Sequence, residues 1–240
     1  MTTDYTKKEL LYDGNEKQIY ATEDPDKVIL RYKDVTTAYS NIKRARFKGI
    51  GAYNNKISAL LFTLLAQEGV ENHFIDLVSE REQLCRKIQW INLEVVVHNW
   101  FAGTLARRLD IAEGVKCPNV IVDFRYNTDE LDNPLINDDQ AVALGLASYD
   151  ELKVIDRMAR ETNRILLRRF AQVGINLIDF KMEFGRTSDG RIIVSDEISP
   201  DRCRLWDAAT GKKLDKDRFR QDLGNIVDGY KEVYDRLSKE

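Results

Sequence analysis

The stretch Ile175-Asn-Leu-Ile-Asp-Phe-Lys-Met-Glu-Phe-Gly185 alternates apolar and charged residues from Ile178 to Phe184. Successive side chains of a strand point to opposite faces. Ile178, Phe180, Met182 and Phe184 are therefore predicted to face a core, and Asp179, Lys181 and Glu183 to share the other face. Ser188-Asp189-Gly190 is a turn signal and Arg191 to Asp196 reads as a second strand, so a hairpin should return Asp196 close to Lys181 and Asp179. The chain continues Asp196-Glu-Ile-Ser-Pro-Asp-Arg-Cys-Arg-Leu-Trp206, crowding both signs of charge around Pro200. A charged strand face on its own is most simply a solvated ladder of ion pairs. Two acids on adjacent strands with a lysine between them also meet a more specific need. Magnesium takes carboxylate and phosphate oxygens, and a lysine neutralises charge on a transferring phosphoryl group.

Around this hairpin the periodicity predicts two long helices. One opens at Ser148, with Glu151 three residues on as a capping box, and carries Ile155, Met158, Ala159, Ile165, Leu166 and Val173 to Gly174. The other runs from about Lys216 with Phe219, Leu223, Ile226, Val227, Tyr230, Val233 and Leu237 on one stripe. Upstream, Ile91 to Val97 reads as a buried strand, Asn119 to Phe124 as another, and Asn127 to Asn137 as a polar loop. The first third is β-rich. Leu10–Tyr12 and Lys17–Thr22 flank the turn Asp13-Gly14-Asn15, Val28–Tyr32 is a further strand, and a helix over Ile57, Leu60, Leu61, Leu64 and Leu65 ends at Gly69. This order reads as an α+β chain in two lobes, residues 1–90 and 91–240.

The 240 residues carry 37 Lys and Arg against 40 Asp and Glu, a formal net charge of −3, so any binding of anions must be local rather than a basic surface for nucleic acid. Cys85, Cys117 and Cys203 form no CxxC pair and cluster with neither His73 nor His98 in sequence. Reduced thiols are expected rather than a disulfide framework or a structural zinc. Met1–Leu10 is polar, and no window holds eighteen consecutive apolar residues, so no export signal or membrane span is expected and a cytoplasmic location is.

Leu177-Ile-Asp-Phe-Lys-Met-Glu-Phe-Gly185 and Ser195-Asp-Glu-Ile-Ser-Pro-Asp-Arg-Cys-Arg-Leu-Trp-Asp207 resemble the two signature motifs of the phosphoribosylaminoimidazole-succinocarboxamide synthase (SAICAR synthetase) family. The likeness extends to Leu11–Gly14 with Lys17 and Tyr20, Asn54-Asn55, Leu93–Val97 with Asn99, Ala102-Gly103-Thr104, Asp132–Asn137 and Leu214–Arg220. It implies a two-lobed fold related to ATP-grasp and kinase-like nucleotide binders, with ATP between the lobes, and commonly a homodimer. It also implies a reaction in which ATP phosphorylates the carboxylate of carboxyaminoimidazole ribotide (CAIR), and the amine of L-aspartate displaces phosphate to form an amide. Carried over by motif, Glu183 and Asp196 would hold Mg2+ and the ATP phosphates, and Lys181 would stabilise the transferring phosphoryl group. Gly14, Lys17, Lys87 and Trp90 would lie against the nucleotide. Asp179, Ser199, Asp201 and Arg204 would face the ribotide or aspartate, with His98 nearby and Thr104 and Gly103 at the ribotide phosphate.

Several of these residues have blander readings. Asp-Gly-Asn is first a hairpin turn, Trp90 a core residue, and the basic run Lys43–Lys48 a solvated loop. Four positions also depart from the family pattern: Asn15, Ile50, His98 and Asn127 stand where the family commonly has cations. A neutral imidazole replaces an arginine fork only if it is protonated. The alternatives are a diverged ligase of the same fold acting on another carboxylate, and a paralogue that binds nucleotide without turnover.

Overall fold

The turn at Asp13-Gly14-Asn15 closes the first hairpin, β1 (Leu10–Asp13) with β2 (Lys17–Ala21), and β3 (Lys27–Tyr32) pairs with β2. A ribbon of β4 (Val35–Ala38) and β5 (Lys43–Arg46) follows, then helix α1 (Ile50–Gln67). With β6 (Phe74–Ser79) and β7 (Glu82–Arg86) the first sheet is complete, in the order β1-β2-β3-β7-β6. The computed structural model describes residues 5–38 and 42–239, so the first four residues of the polar stretch Met1–Leu10 lie outside the described residues.

From Gln89 onward the chain builds a second antiparallel sheet. Its elements are β8 (Gln89–Trp100), helix α2 (Gly103–Leu109), β9 (Lys116–Tyr126), β10 (Leu135–Ile136), helices α3 (Asp138–Ala143) and α4 (Tyr149–Gln172), β11 (Ile175–Arg186), β12 (Ile192–Ser195) and β13 (Cys203–Asp207). The order is β10-β9-β8-β11, and the far edge of β11 is shared. β13 pairs with Ile175–Phe180 and β12 with Glu183–Arg186. Two helices, α5 (Asp217–Arg220) and α6 (Ile226–Leu237), follow. The architecture is α+β, as the order of elements predicts.

Helix α4 starts at the predicted capping box, with Ser148 and Glu151 each bonding the other's backbone N–H. Its buried face, Ile155, Ala159, Ile165, Leu166 and Phe170, packs in one core with Leu93, Val95 and Val97 of β8, Phe180, Met182 and Phe184 of β11, and Ile57, Leu61, Phe62 and Leu65 of α1. Burying each such side chain contributes roughly 1.5–3 kcal/mol. The core therefore holds β11 firmly while its other face is free to carry charge.

The structure corrects the sequence reading at several points. The predicted long C-terminal helix is two pieces, because Asp222, Gly224 and Asn225 take left-handed backbone angles (φ 54°, 69° and 49°) and Leu223 is exposed. Ile178 is buried but lies outside the main core, since an irregularity in the β11–β13 pairing between Leu177 and Asp179 resets the alternation. Helix α1 begins seven residues before Ile57, at Ile50; the polar Asn54 and Asn55 break the apolar pattern there yet are buried. Trp90 is 43% exposed and stacks edge-on against Tyr12, so it is not a core residue. Lys43–Arg46 is a strand rather than a loop, with Lys43 paired to Asp222. All three cysteines are free and buried, and folding brings Cys85 Sγ to 3.9 Å from His73 Nε2.

Candidate active site

Strand register assembles a charged floor. On β11, Asp179 lies opposite His98 of β8 on one edge and opposite Arg204 of β13 on the other, and Glu94 of β8 lies opposite Arg125 of β9. The floor divides into two groups.

The first group forms where the two sheets meet. Lys17 of β2 donates to Asp196 and to Glu197 (2.8 Å), and its ammonium also lies over the Tyr32 ring. Lys181 donates to both oxygens of Glu94, each at 2.8 Å. Between these pairs sits Arg202, within 4.0 Å of the carboxylates of Asp196, Glu183, Glu94 and Glu197. Asp196 thus stands beside Lys17 and Arg202, while Lys181 and Asp179 have other partners, unlike the single cluster the hairpin suggested. The reason is that Asp196 leaves the sheet just past β12: its φ is 65°, and the buried His73 lies beside it. Burial pushes the His73 pKa down to about 4, so this buried ring is neutral.

In the second group Arg204 donates to Asp179 (2.6 Å) and Asp217 (2.9 Å). His98 lies between Asp123 (3.4 Å) and Asp179 (3.7 Å), within ion-pair reach of both but aligned for a good hydrogen bond with neither. Burial alone would lower the His98 pKa, but the two carboxylates outweigh it and raise it. Burial likewise opposes ionisation of Asp179, yet Arg204 and His98 hold its pKa at about 2. Gly103 packs against this group. Its φ is 53°, and a Cβ there would lie 2.5 Å from Arg204 Nη2.

The remaining predicted residues are spread more widely. Ser199 is buried and donates to Glu197 (2.6 Å). Asp201 is buried and accepts from Thr36 (3.0 Å), Asn54 and Tyr230 (2.7 Å), which belong to β4, α1 and α6. Thr104 is exposed on α2, and the Gly103 N–H donates to Glu113. Gly14 closes its turn by donating to the Lys17 carbonyl, and its α-carbon lies against the Tyr12 ring. Lys87 lines a surface hollow with Leu11, Thr22, Asp24 and Lys27. Of the four departures, Ile50 is buried among Ala38, Phe219 and Tyr230, Asn15 is exposed, and Asn127 donates to Glu183 (3.2 Å). Sequence reasoning missed Glu94, Arg202, Glu197 and His73 as site residues. Glu94, Glu197 and Arg202 stand inside the quoted motifs, but nothing local marks their partners.

The Glu183–Asp196 pair suits a divalent cation. Asp196 Oδ2 is buried with no aligned hydrogen-bond donor, its one close cation being Arg202 Nε at 2.8 Å, and burial together with the charge of Asp196 raises the Glu183 pKa. Among the described residues no group of three His, Cys, Asp or Glu forms a ready cage. That agrees with an ion held by one or two carboxylates that takes its other ligands from phosphate and water.

Paired acids and cations on one antiparallel sheet, joined by a lysine from a second sheet, define an α+β protein with a dense cluster of buried charge where its two sheets meet. Comparison with known proteins narrows this class. The chain belongs to the SAICAR synthetase family, whose model matches residues 10–237. It is 50% identical over 233 residues to the phosphoribosylaminoimidazole-succinocarboxamide synthase of Clostridium botulinum (strain Alaska E43 / Type E3), covering 97% of this chain and 99% of that one. It superposes on the crystal structure of the enzyme of that name from Ehrlichia chaffeensis with a TM-score of 0.93 at 42% identity, over 95% of this chain and 98% of the other. A SAICAR synthetase in complex with ADP gives a TM-score of 0.93 at 44% identity, over 97% and 98% of the two chains. Among the described residues no helix is long and apolar enough to cross a membrane.

Proposed function

We propose that this chain joins L-aspartate to carboxyaminoimidazole ribotide at the expense of ATP, giving SAICAR, ADP and phosphate. The observation that carries the reading is the meeting of Lys17, Lys181, Glu183 and Asp196 where the two sheets touch, in a member of this family. A carboxylate is a poor acyl donor, because its leaving group would be oxide. Its oxygen attacks the γ-phosphorus, the bond to ADP breaks, and the resulting acyl phosphate has phosphate as its leaving group. The aspartate amine then attacks the acyl carbon, the carbon–oxygen bond to phosphate breaks, and the amine loses a proton as the amide forms.

In this reading Lys17 and Lys181 neutralise charge on the phosphates, and Glu183 and Asp196 hold Mg2+. Bound there, the ion supplies charge neutralisation on the β- and γ-phosphate oxygens. Arg204 and His98, whose pKa its two carboxylates raise, face the ribotide, with Gly103 and Thr104 at its phosphate. Asp179, held ionised at about 2, anchors both cations rather than acting as a base. Gly14 and Trp90 border the nucleotide, with Lys87 at its outer edge, while Ser199 and Asp201 hold the loop that presents the ligands. The segments 1–90 and 91–240 act as the two clamping lobes. The reading extends to a cytoplasmic homodimer that uses small molecules rather than nucleic acid or membrane, and light scattering of the purified protein tests the dimer.

The decisive assay follows ADP and the succinyl product from purified protein with ATP, Mg2+, aspartate and the ribotide. ADP release that needs both aspartate and ribotide is expected. Release only with another carboxylate indicates a diverged ligase, and none at all a nucleotide binder. Asp196→Asn should cut turnover by about 10²–10³-fold, the effect of removing one preorganised electrostatic contact. Full activity in that variant would remove Asp196 from the metal site.

A further inference from the structure

Arg202 is the most heavily solicited cation of the site. Its guanidinium faces four carboxylates from three parts of the chain: Asp196 at 2.8 Å, Glu183 at 3.6 Å, Glu94 at 3.8 Å and Glu197 at 4.0 Å. None of these contacts is the two-bond fork that locks an arginine to one acid. The Nε–H is buried and aligned on no acceptor, and Asp196 Oδ2, the oxygen nearest to it, has no aligned donor. The backbone of Arg202, in contrast, is fixed. Its N–H donates to the Ser199 carbonyl (3.0 Å), and its carbonyl accepts the Lys181 N–H (2.9 Å). The side chain keeps 23% of its surface accessible. An anchored Cα with a partly accessible guanidinium shared among four acids describes a cation that can change partners without moving the strand.

The oxygens Arg202 neutralises are those of Glu183 and Asp196, the pair that suits a divalent cation. A divalent cation on Glu183 and Asp196 would compete with the guanidinium for their charge, and a displaced guanidinium binds phosphate with the same fork that it offers a carboxylate. We propose that Arg202 neutralises the Glu183–Asp196 pair while no metal is bound, and turns onto the terminal phosphates of the nucleotide once a divalent cation takes those oxygens. Metal and nucleotide binding are then coupled through one side chain. This rests on the assignment of Glu183 and Asp196 as the metal-facing pair.

The test is binding, not turnover. Calorimetric titrations of wild type, Arg202→Gln and Arg202→Lys with MgCl2 alone, and with ADP at saturating Mg2+, read both halves of the exchange. Removing the competing cation should tighten Mg2+ binding to the nucleotide-free protein, while losing the phosphate contact weakens ADP. Each change should be roughly tenfold in Arg202→Gln, a size usual for coupled ligands. Arg202→Lys keeps the charge without the fork, so it should keep Mg2+ weak yet recover only part of the ADP affinity, and it serves as the folded reference should Arg202→Gln lose structure. Mg2+ affinity unchanged in Arg202→Gln, or ADP affinity unchanged in both variants, overturns the exchange. Wild type that fails to bind ADP with Mg2+ overturns the underlying site assignment as well, and that titration is read before any variant.

Discussion

His98 has a chemistry set by its neighbours. Asp179 and Asp123 face it, with Arg204 and Arg108 behind them, and despite burial the two acids raise its pKa. The sign follows from linkage. A group whose pKa is higher folded than unfolded adds stability that is fully present below the unfolded value, about 6.5, and is lost as pH rises through the folded value. The melting-temperature gap between wild type and His98→Gln should therefore narrow as pH rises above about 6.5, and wild-type affinity for the ribotide should fall over the same range. His98→Arg should bind the ribotide at least as well, without that fall; an equal fall would show that the imidazole is not the titrating group. Gly103 gives a second test. Alanine there must hold a left-handed backbone angle at about 1–2 kcal/mol, and its Cβ would push the Arg204 guanidinium aside. KM for the ribotide should rise with little change in KM for ATP, and an unchanged ribotide KM would separate Arg204 from the ribotide.

Among the elements, α4 and β11 were the most readable, because both are written in short-range patterns. The Ser148 and Glu151 capping box sits where it was read, and Ser148→Ala should cost about 1 kcal/mol in a denaturant melt while leaving KM values unchanged. The charged face of β11 was equally plain. The break between α5 and α6 was not, because the apolar stripe runs through Leu223 as though the helix continued. Gly224 and Asn225, two residues tolerant of left-handed angles, are the local mark of the break. Nor could local alternation show the irregularity beside Ile178, since it belongs to the pairing of β11 with β13, a strand some 25 residues further along the chain.

Across the whole molecule, the site is made of pairings that no window of sequence contains. Lys17 and Asp196 are 179 residues apart, and Lys181 and Glu94 are 87 apart. Residue types at the site were legible from the motifs, but which acid meets which cation was not, because folding of two sheets decides it. The same holds for Asp201, whose donors come from β4, α1 and α6, each distant from the signature loop in sequence. Tyr230→Phe deprives this buried carboxylate of one donor and should cost roughly 1–3 kcal/mol, with a loss of nucleotide affinity if the loop is disturbed. The exposed bend 221–225 just ahead of α6 gives that contact a wider meaning. A protease nick in the bend that released α6 would remove Tyr230 from Asp201 and loosen the loop that bears Asp196 and Arg202. Digestion should therefore abolish ADP binding in step with cleavage at the bend, and a protein cut there that still binds ADP would show the loop to be self-supporting.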